Sequence, residues 1–185
     1  MVLQIKIEKL RKKFKEGFSL DLGSFCFHPK TTSCIFGANG AGKSTLFQLM
    51  TGNLEADSGF VSYSQERMSF TKSELKRKIG YLPQEPHLPK WTTALELMNY
   101  MSHLYKVDEA GVRVKELLSY WDCIDFAKRP LGLCSHGMQK RVGLALASLH
   151  DPGYLILDEP FSGLDLLHTY ALEKFIQTRN TSGKV

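Results

Sequence analysis

The stretch GANGAGKST, residues 37–45, decides the fold. It fits G-x-x-x-x-G-K-[ST] through Gly37, Gly42, Lys43 and Ser44, the spacing of a phosphate-binding loop. Gly37, Gly40 and Gly42 free the backbone to wrap tightly, so that the N–H groups of the loop, with Asn39 and Ala41 among them, face an anion. A helix beginning near Lys43 adds the positive end of its dipole. Lys43 reaches the terminal phosphates as a point charge, the Ser44 hydroxyl is placed to ligate Mg2+, and Thr45 adds a further phosphate contact. A glycine-rich turn also arises by chance, but the flanks argue otherwise. SCIF (33–36) reads as a short buried strand leading in, and STLFQLMTG (44–52) as a helix leading out and closed by Gly52.

A phosphate loop of this kind needs an acidic strand end as its second half. YLILDEP (154–160) is a continuous apolar run ending in two carboxylates. Asp158 is placed to hold the magnesium. Glu159 follows directly, with its side chain turned away from that of Asp158, and is placed to polarise a water that attacks a γ-phosphate.

Around these two motifs the chain divides by pattern. Residues 2–8 and 18–27 (FSLDLGSFCF) read as strands, and KIGYLP (78–83) as another core strand. From about 86 to 150 the pattern is helical. Ala94, Leu97, Met98, Met101, Leu104 and Tyr105 share one face, as do Val114, Leu117, Leu118 and Trp121, and as do Met138, Val142, Ala145, Leu146 and Leu149. These stripes are core packing. The last periodic segment runs from Leu166 to Ile176, followed by a polar turn, TRNTSG. The expected fold is α/β, with residues 1–85 and 151–185 as a core and 86–150 as an inserted helical subdomain.

With 185 residues, 43% hydrophobic and 23% charged, the chain fits one ordinary globular domain with a real core. The net charge is +5, and much of the basic character lies in KIEKLRKKFK (6–15), interleaved with Ile7, Leu10 and Phe14. That alternation reads as the solvated face of an edge strand rather than a nucleic-acid patch, because no stacking aromatics accompany it. Cys26, Cys34, Cys123 and Cys134 show no CxxC pair and no zinc spacing with histidine, which points to a reducing, cytoplasmic setting. The N-terminal MVLQIKIEKL lacks the apolar segment of a signal peptide, and no run approaches the roughly 18 apolar residues of a bilayer span. Work at a membrane would need a partner to do the spanning.

Together the motifs resemble the nucleotide-binding domain of ABC transporters, over essentially the whole chain. FGANGAGKSTL is similar to that family's Walker A, YLILDEPFSGLD to its Walker B and D-loop, and IGYLPQ (79–84) to its Q-loop. The resemblance implies a P-loop NTPase core with an antiparallel β subdomain and an inserted α-helical subdomain. It also implies ATP and Mg2+ as cofactors, with Gln84 contacting the metal and the attacking water. The adenine-stacking aromatic falls on Phe14. CSHGM (134–138) aligns with the family signature LSGGQ at the start of a helix of roughly 138–149. In the family two domains pair head to tail, so Ser135 and the N–H groups around Gly137 would meet the γ-phosphate held by the other copy. A Cys134–His136 nucleophile pair is the competing reading, weakened by the lack of an orienting acid.

The signature departs from the family pattern at Cys134, His136 and Met138, the last resembling variants of the exporter-like subfamily. His136 is expected to face outward, with the possibility of tuning closure. The family's switch histidine, one helix and one strand beyond the D-loop, has no counterpart before Val185, and His168 is too near Asp165 to stand in. The expectation is therefore a C-terminally truncated domain. It would be the ATP-binding ATPase subunit of a transporter, peripheral at the inner face of the membrane. Its partners would be a second ATP-binding domain, identical or not, and a transmembrane permease; no nucleic acid is expected. The alternative is a hydrolysis-deficient module that associates in response to ATP. A P-loop kinase would leave SGLD and the signature unexplained.

Overall fold

A computed structural model describes residues 4–15, 17–63, 66–67 and 76–182. The chain forms two compact units, one of residues up to 79 together with those from 176 onward, the other of residues 80–175.

The first unit is built on an antiparallel sheet. Strand β1 (Ile5–Lys13) pairs on one side with β2 (Ser19–Asp21) and β3 (Phe25–Phe27), and on the other with β4 (Ser58–Tyr63), which in turn pairs with β5 (Glu66–Arg67). The basic stretch therefore lies in an interior strand, contrary to the expectation of an edge. Its sequence has an irregularity that explains the geometry. Ile5 and Ile7 keep the two-residue period of a strand, but the next apolar residue is Leu10, one position late. A register shift between Glu8 and Arg11 absorbs the extra residue, with Lys9 turned to a φ of 46°, and all three apolar side chains end buried. Lys6, Lys9, Arg11 and Lys13 remain on the exposed face, where Arg11 pairs across the ladder with Asp21 at 2.7 Å. The expected strand at 18–27 is interrupted at residues 22–24 and becomes β2 and β3. Residues 2–3 of the expected first strand lie outside the described residues.

Helix α1 (Lys43–Thr51) forms where expected and ends at Gly52, which takes a φ of 69° and donates its N–H to Gln48 and Leu49 carbonyls. The Tyr63 hydroxyl ties the sheet to this helix through the Met50 carbonyl at 2.8 Å. The strand expected at 33–36 does not form. Cys34 is exposed and Phe36 is 90% exposed. An apolar run becomes a strand only where neighbours complete its ladder of N–H and C=O groups, and none does so here.

The second unit holds a two-stranded sheet, β6 (Ile79–Leu82) with β7 (Tyr154–Leu157), and three helices: α2 (Ala94–Tyr105), α3 (Ala110–Tyr120) and α4 (His136–Ser148). Thr93 and Glu96 cap α2 reciprocally, with each side chain bonding the other residue's backbone N–H. The α2 stripe is buried through Ala94 and Met98, but Leu104 is 51% exposed and Ser102 lies inside instead. Ser102 is accommodated because its hydroxyl donates to the Asn99 carbonyl one turn back. The α3 stripe is buried as expected, with Trp121 fully enclosed and edge-on to Tyr120 and Phe175. Trp91, by contrast, is 85% exposed. Helix α4 is buried on most of its circumference, including Lys140. The final helix, α5 (Leu166–Thr181), runs through most of the stretch expected as a turn: Thr178, Arg179, Asn180 and Thr181 are polar, but none breaks a helix as proline or glycine does. Among the described residues no helix is long and apolar enough to cross a membrane.

Candidate functional site

The phosphate loop lies in the first unit. Gly42 is the N-cap of α1 at a φ of 94°, and the helix N-terminus carries no side-chain cap. A Cβ at this position would lie 2.9 Å from Cζ of Phe18 and 3.0 Å from Cδ1 of Leu20, so the left-handed backbone favours glycine and any larger residue must also shift both side-chain tips. The first intrahelical bond runs from the Leu46 N–H to the Gly42 carbonyl, which leaves the N–H groups of Lys43, Ser44 and Thr45 available to an external acceptor. The Lys43 ammonium donates to the carbonyls of Gly37 at 2.7 Å and Ala38 at 3.0 Å, which holds it over the loop. Asn39, Gly40 and Ala41 are exposed along the same loop, with Gly40 at a φ of 81° and the Ala41 N–H turned back to Ala38. An uncapped helix start, a held lysine and a glycine cradle form a setting that suits a polyphosphate.

Phe14 lies close to this loop through an intermediary. Its ring is 5.9 Å from that of Phe18, and Phe18 is the residue packed against Gly42. A tight turn joins the two, with the Phe14 N–H donating to the Phe18 carbonyl and the Gly17 N–H to Phe14. Phe18 packs against the candidate phosphate loop and was passed over in the sequence reading. The signal was available in the pair of aromatics flanking a glycine, since such a turn brings both rings to one side.

The acidic strand end lies in the second unit. The Asp158 N–H donates to the Leu82 carbonyl at 2.9 Å, which continues the β6–β7 pairing one residue past the strand. Its side chain is buried, and a carboxylate held at a strand end suits a divalent cation. Tyr81 nearby has its hydroxyl pushed up to about 12, by burial first and by the charge of Asp158 second. Glu159 then takes a φ of 44°, and this left-handed turn leaves its side chain exposed while Asp158 points inward. The Gln84 side-chain amide donates to Glu159 at 3.0 Å. The structure thus brings together two residues 75 positions apart, both of them expected to act on the attacking water.

The polar phrase before α4 is a helix cap. Ser135 is the N-cap, and its hydroxyl accepts the Met138 N–H at 3.2 Å. The Cys–His alternative finds no support: Cys134 is buried with its thiol directed at the Pro130 carbonyl, whereas the His136 ring lies against Gly163. His136 is exposed, as expected, yet one edge of its ring meets the turn after Glu159. Gly137 also approaches Gly163, and a Cβ on it would lie 2.8 Å from the Gly163 carbonyl oxygen. His168 is buried in a cluster of its own, bonded to Asp165 at 2.7 Å and to Arg141 at 3.0 Å.

Comparison with known proteins agrees with these features. The family model described as ABC transporter matches residues 20–162. The chain is 36% identical over 163 residues to the ABC transporter ATP-binding protein YxlF of Bacillus subtilis (strain 168), covering 87% of this chain and 54% of that protein. It is 31% identical over 179 residues to the lantibiotic transport ATP-binding protein SrtF of Streptococcus pyogenes, covering 97% of this chain and 76% of SrtF. The chain spans about half the length of several curated relatives that it matches. Among solved structures, an ATP-binding subunit of an ABC transporter superposes with a TM-score of 0.86 at 26% identity, covering 97% of this chain and 76% of that one. CbiO1 of Clostridium perfringens, part of the cbiONQ complex, superposes at 0.76 with 26% identity, covering 96% and 74% respectively.

Proposed function

The chain belongs to the ABC transporter ATP-binding family, and from that membership we propose that it is the ATP-binding subunit of a transporter and hydrolyses Mg-ATP in a head-to-tail pair. The observation that carries this reading is the Gln84–Glu159 hydrogen bond, because it joins the two groups suited to orienting a water at the end of a strand that also presents Asp158. Lys43 and the N–H groups at the start of α1, those of Lys43, Ser44 and Thr45, bind the phosphates, and Phe14, beside Phe18, offers a π-face to the base. Ser44, Asp158 and Gln84 would hold Mg2+, which would supply positive charge against the developing phosphoryl charge. Glu159 accepts the proton of the attacking water. Ser135 and the N–H groups near Gly137 complete the site of the second copy.

Residues 86–150 act in this reading as the helical subdomain that docks on a permease, with residues 1–85 and 151–185 as the ATP-binding core. The name of SrtF refers to lantibiotic transport, and CbiO1 belongs to a named transporter complex. Both favour a permease partner and a site of action at the cytoplasmic membrane face, and Met138 in the signature gives a lean to export.

The test is Mg-ATP turnover by the purified chain. Lys43→Ala is expected to abolish nucleotide binding, and Glu159→Gln to abolish turnover while ATP still binds. Binding and ATP-driven association without turnover in the folded chain would replace the ATPase reading with that of a hydrolysis-deficient module.

A further inference from the structure

Lys140 is a charged residue buried to 0% exposure in the middle of α4. Lysine is almost never enclosed to that degree without a partner. Among the described residues its ammonium donates to the backbone carbonyl of Gln84, at 2.8 Å. Burial pushes the amine below its ordinary value, and the charges of Asp158, Glu159 and Glu85 pull it back up. An apolar residue of similar volume would fill this space at less desolvation cost, so packing alone does not account for a lysine here.

Its position gives it something to do. Five residues before it, Ser135 caps α4, and Gln139 binds the preceding loop through the carbonyls of Leu131 and Cys134, both at 3.1 Å. The start of α4 and the signature phrase are thereby one rigid piece. Beyond Lys140, the residue whose carbonyl it holds is the one whose side chain binds Glu159. A continuous series of contacts runs from Ser135 along one turn of helix to Lys140, then to Gln84 and to Glu159.

We propose that Lys140 is a positioning residue that fixes the Gln84–Glu159 pair relative to the signature helix, so that engagement of Ser135 and Gly137 by the other copy's nucleotide is felt at this chain's own hydrolytic glutamate. The inference rests on the ATPase reading above. Lys140 itself touches neither nucleotide nor water. It acts by holding a backbone atom, and a displacement of about 1 Å at such a site costs up to about a hundredfold in rate.

The test uses the full chain with K140M, which keeps the unbranched apolar stem and removes the donor, and K140Q, which keeps a donor; both side chains are one atom shorter than lysine. Thermal melting, Mg-ATP kcat and KM, and hydrogen exchange of residues 80–86 are measured for each. K140M is expected to melt at or above the wild-type temperature and to keep KM within about twofold. Its kcat should fall by about tenfold or more, with faster exchange at residues 80–86. K140Q should fall between K140M and wild type. A wild-type kcat with unchanged exchange overturns the proposal. So does a fall in kcat accompanied by an equal rise in KM or a lowered melting temperature, since a merely structural lysine would give that pattern. Turnover that survives Lys43→Ala removes the ATPase reading alone, and the exchange comparison still decides whether Lys140 holds the segment at Gln84.

Discussion

Gly137 and Gly163 meet backbone to backbone: a Cβ on the first would lie 2.8 Å from the carbonyl oxygen of the second. A Cβ on Gly163 would in turn lie 2.8 Å from Cδ2 of His136. The residue of the signature phrase that departs most from glycine therefore rests on a glycine of the turn after Glu159. Gly163→Ala should suffer twice, once from its φ of 77° and once from the imidazole. The first costs about 1 kcal/mol and the second about 1–3 kcal/mol. Urea unfolding of Gly163→Ala, His136→Gly and the double variant should show a favourable coupling, because His136→Gly removes only the second penalty. Strict additivity would mean that the ring does not confine the turn.

At the phosphate loop the same reasoning orders two substitutions. Gly42→Ala places a methyl against Phe18 and Leu20 in a left-handed backbone, whereas Gly37→Ala meets Ala41 at 3.3 Å and the Lys43 stem at an ordinary 4.0 Å. Nucleotide titration should show at least about a tenfold loss of ATP affinity for Gly42→Ala, roughly 1.4 kcal/mol. The loss for Gly37→Ala should be smaller. The reverse order would place the loop's constraint elsewhere.

Acid should destabilise the fold through identifiable carboxyls. The backbone N–H of Lys13 holds Asp57 below its ordinary value, that of Thr93 does so for Glu96, and that of His168 for Asp165. A depressed folded value means the contribution is complete above the unfolded value, 4.5 for Glu96 and 3.8 for the aspartates, and is lost as pH falls through the lowered folded values. Melting temperature should thus decline on acidification below these values. Glu96→Gln should lower it at pH 7 while flattening part of the acid limb; an acid limb unchanged by Glu96→Gln would remove Glu96 from the account.

The bulge in β1 predicts opposite outcomes for two lysines on one strand. Lys9→Gly relieves a φ of 46° and should leave the melting temperature unchanged or raised. Lys6 has no positive φ and pairs with Cys26 and Ser62, so Lys6→Gly should cost about 0.5–1 kcal/mol. Equal losses in calorimetry would argue that Lys9 is not strained.

The elements legible in the sequence were those whose signal is local. α1 is bounded by Gly42 and Gly52, β7 is an uninterrupted apolar run, and the Val114–Trp121 stripe has a clear helical period. The elements misread depend on neighbours. Whether residues 33–36 make a strand is decided by what completes their ladder, and β1 is an interior strand because β4 returns to its far side. Burial of Ser102 and Lys140 was illegible for a related reason, since each is enclosed by virtue of one carbonyl that accepts its proton. At the site, Asp158 and Gly42 could be identified from motif spacing. The Gln84–Glu159 contact and the part played by Phe18 required the tertiary structure.

The contrast between Trp91 and Trp121 has a spectroscopic consequence. Both tryptophans lie within residues 80–175, one open to solvent and the other sealed beside Tyr120 and Phe175. Iodide should quench the red-shifted emission of Trp91 and spare the blue-shifted emission of Trp121. Tryptophan fluorescence therefore follows the second unit, whereas far-ultraviolet circular dichroism also follows the antiparallel sheet around β1. Denaturation curves that separate by these two probes would reveal that the units of this chain melt in turn.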